Sequence, residues 1–153
     1  MTETMQRWSM NALGRENLRL IQEPVQTPGP GEVRVRVNAV ALNYRDKMVI
    51  EGTMPIPLAF PFTPASDMAG VVDSTGEGVT RFKPGARVIS TFFPEWIDGR
   101  PQADARNLPY KTSGGYFQGM LAEYVIVKED ALVAAPDTLD DAEASTLPCA
   151  GLT

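Results

Sequence analysis

Histidine is missing from all 153 residues, and cysteine occurs once, as Cys149. Without an imidazole neither a Ser-His-Asp nor a Cys-His nucleophile system can be assembled, and histidine-ligated zinc, copper and non-haem iron centres are excluded with them. A lone thiol closes no internal disulfide and holds no cysteine-rich metal cluster. Positive charge is also scarce: 14 Lys and Arg stand against 19 Asp and Glu, a net charge of −5, so nucleic acid is not the expected partner. No stretch approaches the roughly 18 apolar residues of a membrane span. The opening Met1-Thr2-Glu3-Thr4-Met5-Gln6 lacks the basic and then apolar pattern of a secretory signal. The expectation is a protein of the reduced cytoplasm with neither a membrane nor a nucleic acid as partner.

What the sequence does have is punctuation. Thirteen glycines and thirteen prolines are spread along the whole chain, which favours many short strands over long helices. Asn17–Pro24 reads as a short strand closed by a proline, and Thr27-Pro28-Gly29-Pro30-Gly31-Glu32 as a turn cluster. Val33, Val35, Val37 and Ala39 then alternate with Arg34, Arg36 and Asn38, the period of a strand with one buried face. Asn43–Gly52 reads as a short helix stopped by Gly52. After a proline-rich loop, Met68–Ser74 reads as a buried strand, Gly76-Glu77-Gly78 as a turn and Ala86–Thr91 as a further strand. Residues 92–115, with Phe92, Phe93, Trp96 and Tyr110, show little periodicity, and a loop of that length is usually functional or poorly ordered. Leu121–Val127 and Ala131–Pro136 are expected as strands, and Thr138–Leu147 as a capped helix with acidic residues at its N-terminus. The fold class expected from these elements is mainly β (α+β), a partly open barrel-like roll with two or three short helices.

Several of these segments in order carry a resemblance. Pro28-Gly29-Pro30-Gly31-Glu32-Val33, Leu42-Asn43-Tyr44-Arg45-Asp46, Ser66-Asp67-Met68-Ala69-Gly70-Val71-Val72, Phe82-Lys83-Pro84-Gly85-Ala86-Arg87-Val88, Gly119-Met120-Leu121-Ala122-Glu123-Tyr124 and Leu147-Pro148-Cys149-Ala150-Gly151-Leu152-Thr153 resemble landmarks of the medium-chain dehydrogenase/reductase superfamily. The resemblance implies a GroES-like catalytic domain over residues 1–136, followed at 137–153 by a connecting helix toward a Rossmann domain for NAD or NADP. No G-x-G-x-x-G sits between a strand and a helix in this chain, so it is expected to be the N-terminal part of a longer oxidoreductase.

Compared with zinc alcohol dehydrogenases, the chain has Asn43 at the first cysteine ligand and Ala65-Ser66-Asp67 at the G-H-E motif, and only Cys149 keeps a good ligand type. The segment 92–115 also lacks the four cysteines of a structural zinc lobe. The resemblance is therefore to the zinc-independent, quinone-oxidoreductase-like branch, which implies hydride transfer between nicotinamide and a carbonyl, quinone or activated alkene, with a small-molecule substrate and a homodimer as the full-length assembly. By the same resemblance Tyr44 and Arg45 are the catalytic candidates, and Asn43, Tyr44, Arg45, Met48, Cys149 and Thr153 face the cofactor; no metal is expected.

Each residue also has a plainer reading. Asn43 is a favoured helix N-cap, a tyrosine more often packs its ring and bonds its hydroxyl, and Arg45 with Asp46 can form an ordinary ion pair. Ser66 and Asp67 suit a loop-to-strand hydrogen-bonding role as well as an active-site one, and Cys149 an inert buried position. Phe92, Phe93 and Trp96 fit either a lid over a lipophilic substrate or a self-packed loop. Two other functions stay open: a stand-alone GroES-like binding module without chemistry, and a zinc alcohol dehydrogenase.

Overall fold

The computed structural model describes residues 3–99 and 111–151. Seven strands form two sheets. In chain order they are β1 (Thr4–Met10), β2 (Leu18–Pro24), β3 (Glu32–Ala41), β4 (Asp67–Thr75), β5 (Arg87–Ser90), β6 (Tyr124–Lys128) and β7 (Leu132–Ala134), with helix α1 (Tyr44–Glu51) between β3 and β4 and helix α2 (Asp141–Ala144) after β7. β1 and β2 pair with each other, and the remaining five run β6-β3-β4-β5-β7 with every neighbour antiparallel. This is the mainly β, open arrangement that the breaker-rich sequence favours.

β3 lies between β6 and β4, and its alternation works: Val33 and Val35 are fully buried while Arg36 is exposed. They meet Met68 and Val72 of β4, Val88 of β5, Val125 of β6, Leu132 of β7 and Met120 in one core. β4 is covered on both faces, which explains its unbroken apolar reading. Met68 and Val72 point into that core, while Ala69 points the other way, where Ile89, Ala135, Leu139, Ala144 and Leu147 enclose it. Arg34 departs from the expected solvated face. Its guanidinium pairs with Asp73 across the sheet and lies over the Tyr124 ring at 5.6 Å.

β1 was not foreseen, and its cause is non-local. Its sequence TMQRWSM alternates poorly, and it becomes a strand through partners far along the chain. Besides pairing with β2, its Trp8 N–H donates to the Leu121 carbonyl at 3.0 Å, and Met10 and Phe62 exchange two backbone hydrogen bonds of 2.9 Å. Met10 and Phe62 then pack with Val49 beneath α1, tying hairpin and helix together. β6 begins three residues later than expected, because Leu121 to Glu123 are occupied by β1 and by the Pro64 carbonyl.

α2 is much shorter than the expected Thr138–Leu147. Asp140 caps it, accepting the Glu143 N–H at 2.8 Å, while the Glu143 carboxyl accepts the Asp140 N–H at 3.0 Å. The helix stops at Ala144 because Pro148 has no N–H to offer the Ala144 carbonyl and its ring would collide with it. The chain continues through Leu147–Gly151 as one wide, π-helical turn.

The Asp141 carboxyl fastens α2 to the sheet, accepting from Asn38 Nδ2 at 2.7 Å and from Arg87 Nη2 at 2.7 Å. These partners, Asn38 first and then Arg87, hold its pKa below the ordinary carboxylate value. The unfolded chain therefore takes up this proton before the folded one does, so the stabilisation is present above the ordinary value and is lost as pH falls through the lowered one. Asp141→Asn should be less stable than the parent at neutral pH, with the gap closing below about pH 4. Urea unfolding of both proteins across that range checks it.

Candidate functional site

α1 ends and begins as its sequence requires. Gly52 takes the left-handed conformation (φ 74°) that closes the helix. At the other end Asn43 is the N-cap residue, and its backbone N–H donates to the Asp46 carboxyl at 2.8 Å. The Asn43 side chain takes part in the capping box and also reaches β4. Its Nδ2 donates to Asp67 Oδ2 at 3.0 Å, so the capping position and the contact to β4 exist together.

Asp67 is the point where the segments converge. It opens β4, is fully buried, and uses both side-chain oxygens. Oδ1 accepts the Ser66 hydroxyl at 2.6 Å, and Oδ2 is shared by Asn43 Nδ2 and the backbone N–H of Cys149, each at 3.0 Å. Ser66 is fixed in turn, since its carbonyl accepts the Ser90 hydroxyl at 3.2 Å while Ser90 Oγ accepts the Met68 N–H at 3.1 Å. Just before it, buried Ala65 holds a left-handed φ of 73°. That strain persists because its neighbours are clamped: Gly119, Met120 and Leu121 donate to the Thr63, Ala65 and Pro64 carbonyls at 2.7, 2.8 and 3.2 Å.

Arg45 lies next to this group and is heavily committed. Its guanidinium donates to Asp46 Oδ1 at 3.2 Å, Thr112 Oγ1 at 2.9 Å, the Gly114 carbonyl at 3.2 Å and the Ser113 carbonyl at 3.4 Å, and it lies over the Phe92 ring at 5.1 Å. The expected Arg45–Asp46 pair thus exists, but inside the protein rather than on a helix face: Asp46 is buried. Burial pushes the Asp46 carboxyl above the usual range, against the pull of the Asn43 N–H and of Arg45. Burial, and then the nearby Asp67 carboxyl, likewise raises the Cys149 thiol, so it stays protonated at neutral pH.

Of the residues singled out in the sequence, Asn43, Arg45 and Cys149 come together around Asp67 and Asp46. Tyr44 does not join them: it is 74% exposed beside Leu42 (73%), with the Lys47 ammonium 5.6 Å from its ring centre. Met48 is half-buried on α1, outside this set of hydrogen bonds, and its carbonyl accepts the Thr53 N–H that follows the helix. Thr153 and Tyr110 lie outside the described residues. Phe92, Phe93 and Trp96 stack edge to face in sequence, with centroids 4.8 and 6.0 Å apart. Asp67, for which a loop-to-strand bond and an active-site role were equally open from the sequence, is the centre of the group; its adjacency to Ser66 was visible, its contacts 24 and 82 positions away were not.

The donor set is a poor match to zinc. At the positions where the resemblance places ligands, Asn43 and Ser66 present an amide and a hydroxyl whose hydrogens are directed at Asp67, whereas zinc prefers thiolate, imidazole or carboxylate lone pairs. Among the described residues no three of His, Cys, Asp and Glu are placed to share a metal ion. Elsewhere, a cavity of about 340 Å³ opens between the β1–β2 hairpin and β6; its two arginines, Arg7 and Arg34, are already paired with Glu23 and Asp73. No helix among the described residues is long and apolar enough to cross a membrane.

Replacing Arg45 by Met keeps the aliphatic stem and removes the fork that holds residues 112–114. The change should cost about 2–3 kcal/mol, the scale of hydrogen bonds to a charged group. Amide exchange should accelerate at Thr112–Phe117 while β3 and β4 keep their protection, which mass-resolved hydrogen exchange reads directly.

Comparison with known proteins agrees with this architecture. The chain is 54% identical to a Sinorhizobium meliloti 1021 protein solved as a candidate alcohol dehydrogenase, superposing with a TM-score of 0.95 over 100% of this chain and 45% of that one. It is 40% identical over 131 residues to a zinc-type alcohol dehydrogenase-like protein of Schizosaccharomyces pombe, covering 86% of this chain and 37% of the relative. A chloroplastic quinone-oxidoreductase, QR1 of Triphysaria versicolor, is 34% identical over 142 residues, covering 92% of this chain and 37% of its own length. The chain thus spans well under half the length of these relatives. Residues 29–137 match the alcohol dehydrogenase GroES-like domain, from the turn before β3 to the loop before α2. With that span, its fold and the convergence of α1, β4 and the Leu147–Gly151 turn, the chain belongs to the alcohol dehydrogenase GroES-like domain family of the medium-chain dehydrogenases/reductases.

Proposed function

We propose that this chain is the N-terminal catalytic part of an NAD(P)-dependent oxidoreductase that works without zinc and acts on a carbonyl, a quinone or an activated alkene. The observation that carries the reading is the hydrogen-bonded group in which the Asn43 amide, the Ser66 hydroxyl and the Cys149 N–H donate to Asp67; by resemblance Asn43, Ser66 and Cys149 stand where the zinc enzymes have their ligands. The relatives named as quinone-oxidoreductase and alcohol dehydrogenase-like support the reaction class. The nicotinamide, when bound, supplies or accepts the hydride.

The chain's own residues orient and stabilise. The Asn43 amide, half-buried and fixed by Asp67, stands at the rim where a nicotinamide ribose would hydrogen-bond to it. The Tyr44 hydroxyl is exposed at the first turn of α1 and donates to the oxygen on which negative charge develops, or returns the proton after hydride transfer to a carbonyl. Arg45 contributes a fixed positive field from below, its hydrogens being spent on Asp46 and residues 112–114. Met48, Cys149 and Thr153 complete the cofactor side, the Cys149 thiol as a neutral wall rather than a ligand. In the same reading the protein acts in the reduced cytoplasm as a homodimer on small molecules, with neither nucleic acid nor membrane as partner.

The test is oxidation of NADH and NADPH by the full natural polypeptide against quinones, enones, enals and aldehydes. Turnover should survive prolonged treatment with a zinc chelator. Activity lost with the metal and restored by zinc alone would instead establish the zinc alcohol dehydrogenase reading. Tyr44→Phe should lower kcat by about 100-fold, the lower end of what a positioned proton donor contributes, with the KM for the nicotinamide unchanged.

A further inference from the structure

Resting on that reading of the site, we propose that Asp67 is its positioning residue: as a hydrogen-bond acceptor rather than as a charge, it locks the Asn43 amide and the Leu147–Gly151 turn to one another. A buried carboxyl must have its lone pairs satisfied, and here every donor comes from a different part of the chain. Ser66 belongs to the same strand entry, Asn43 to the start of α1, and the Cys149 N–H to the turn after α2. The carboxyl itself cannot swing, because Ser66 is held by Ser90, and the segment before it by Gly119, Met120 and Leu121.

The geometry couples two functions. Asn43 is the amide proposed to meet the cofactor, and Cys149 lies on the stretch by which the family's catalytic domain leads to the nucleotide domain. One oxygen, Oδ2, holds both at 3.0 Å. Displacing it frees the Asn43 side chain to rotate and releases the turn, so the amide no longer meets the nicotinamide in a fixed orientation. A misplacement of about 1 Å in such a group costs on the order of 100-fold.

Asp67→Asn separates geometry from charge. Its carbonyl oxygen can take the place of Oδ2 for Asn43 and Cys149, while its NH2 donates to Ser66 Oγ, which accepts after its proton rotates. Asp67→Ala removes all three bonds. In the full natural polypeptide, Asp67→Ala should raise the KM for NAD(P)H about 10-fold or more with a smaller fall in kcat, whereas Asp67→Asn should stay within about threefold of the parent in both. Amide exchange at Cys149 should become fast in Asp67→Ala and remain slow in Asp67→Asn.

Parent-like cofactor binding by a folded Asp67→Ala, or unchanged protection of its Cys149 amide, would overturn the proposal. So would an Asp67→Asn protein with its KM raised 10-fold, since charge would then be what matters; this arm decides the question even if Asp67→Ala does not fold. A parent protein that oxidises NAD(P)H with none of the substrates sinks the functional reading alone. The exchange comparison at Cys149 still tests Asp67 in that case.

Discussion

Removing a carboxyl from water is costly unless its oxygens find donors, and Asp67 is fully buried at the beginning of β4, a strand covered on both faces. Three segments must therefore come to it. The N-terminus of α1 brings the Asn43 amide, the strand entry brings the Ser66 hydroxyl, and the turn after α2 brings the Cys149 N–H. Their arrangement is fixed by directional bonds, which is what a binding site needs and what an oily contact would not supply. The core around Val33, Val35, Met68 and Val72 keeps β4 rigid behind the carboxyl, so satisfying Asp67 also sets the orientation of the residues around it.

A second layer rests on the first. Asp46 is buried one turn into α1, where it accepts the Asn43 N–H, and it keeps its partner Arg45 pointing inward. Arg45 then spends its remaining hydrogens on Thr112, Ser113 and Gly114, fastening a loop that has no regular structure of its own. Hydrogen bonding and charge thus run from the loop through Arg45, Asp46 and Asn43 to Asp67. A long side chain with a planar fork suits this, because a lysine's three hydrogens sit on a single nitrogen and do not reach acceptors spread along the guanidinium edge.

Much of the frame was legible because its signals are local. The alternation from Val33 to Ala39 gives β3, Asn43 and Gly52 bound α1, and the both-sided apolar run from Met68 marks a strand covered on two faces. β1 was not legible, since TMQRWSM becomes a strand only against β2, Leu121 and Phe62. The length of α2 was in principle readable: Pro148 forbids helix four residues beyond Ala144, yet the acidic, well-capped start suggested a longer element. At the site, Asn43, Arg45 and Cys149 stood out through resemblance and are indeed gathered. Tyr44 stood out with them but projects outward, and the central part of Asp67 depends on contacts spanning 24 and 82 residues, which no local pattern encodes.

The same geometry shows how hydrogen bonds can gather segments as a metal ion does. A metal ion organises its surroundings by drawing lone pairs inward from several segments. Asp67 organises the same neighbourhood by drawing hydrogens inward: an amide, a hydroxyl and a backbone N–H converge on its oxygens. Donors from several segments stay connected in this way, provided an acceptor sits among them and is itself immobile. Ser66 meets that condition, because in one residue it supplies a donor to the carboxyl and a carbonyl anchored to Ser90. Because the three donors share one carboxyl, loss of that acceptor would release all three segments at once, whereas loss of any single donor would leave the other two in place.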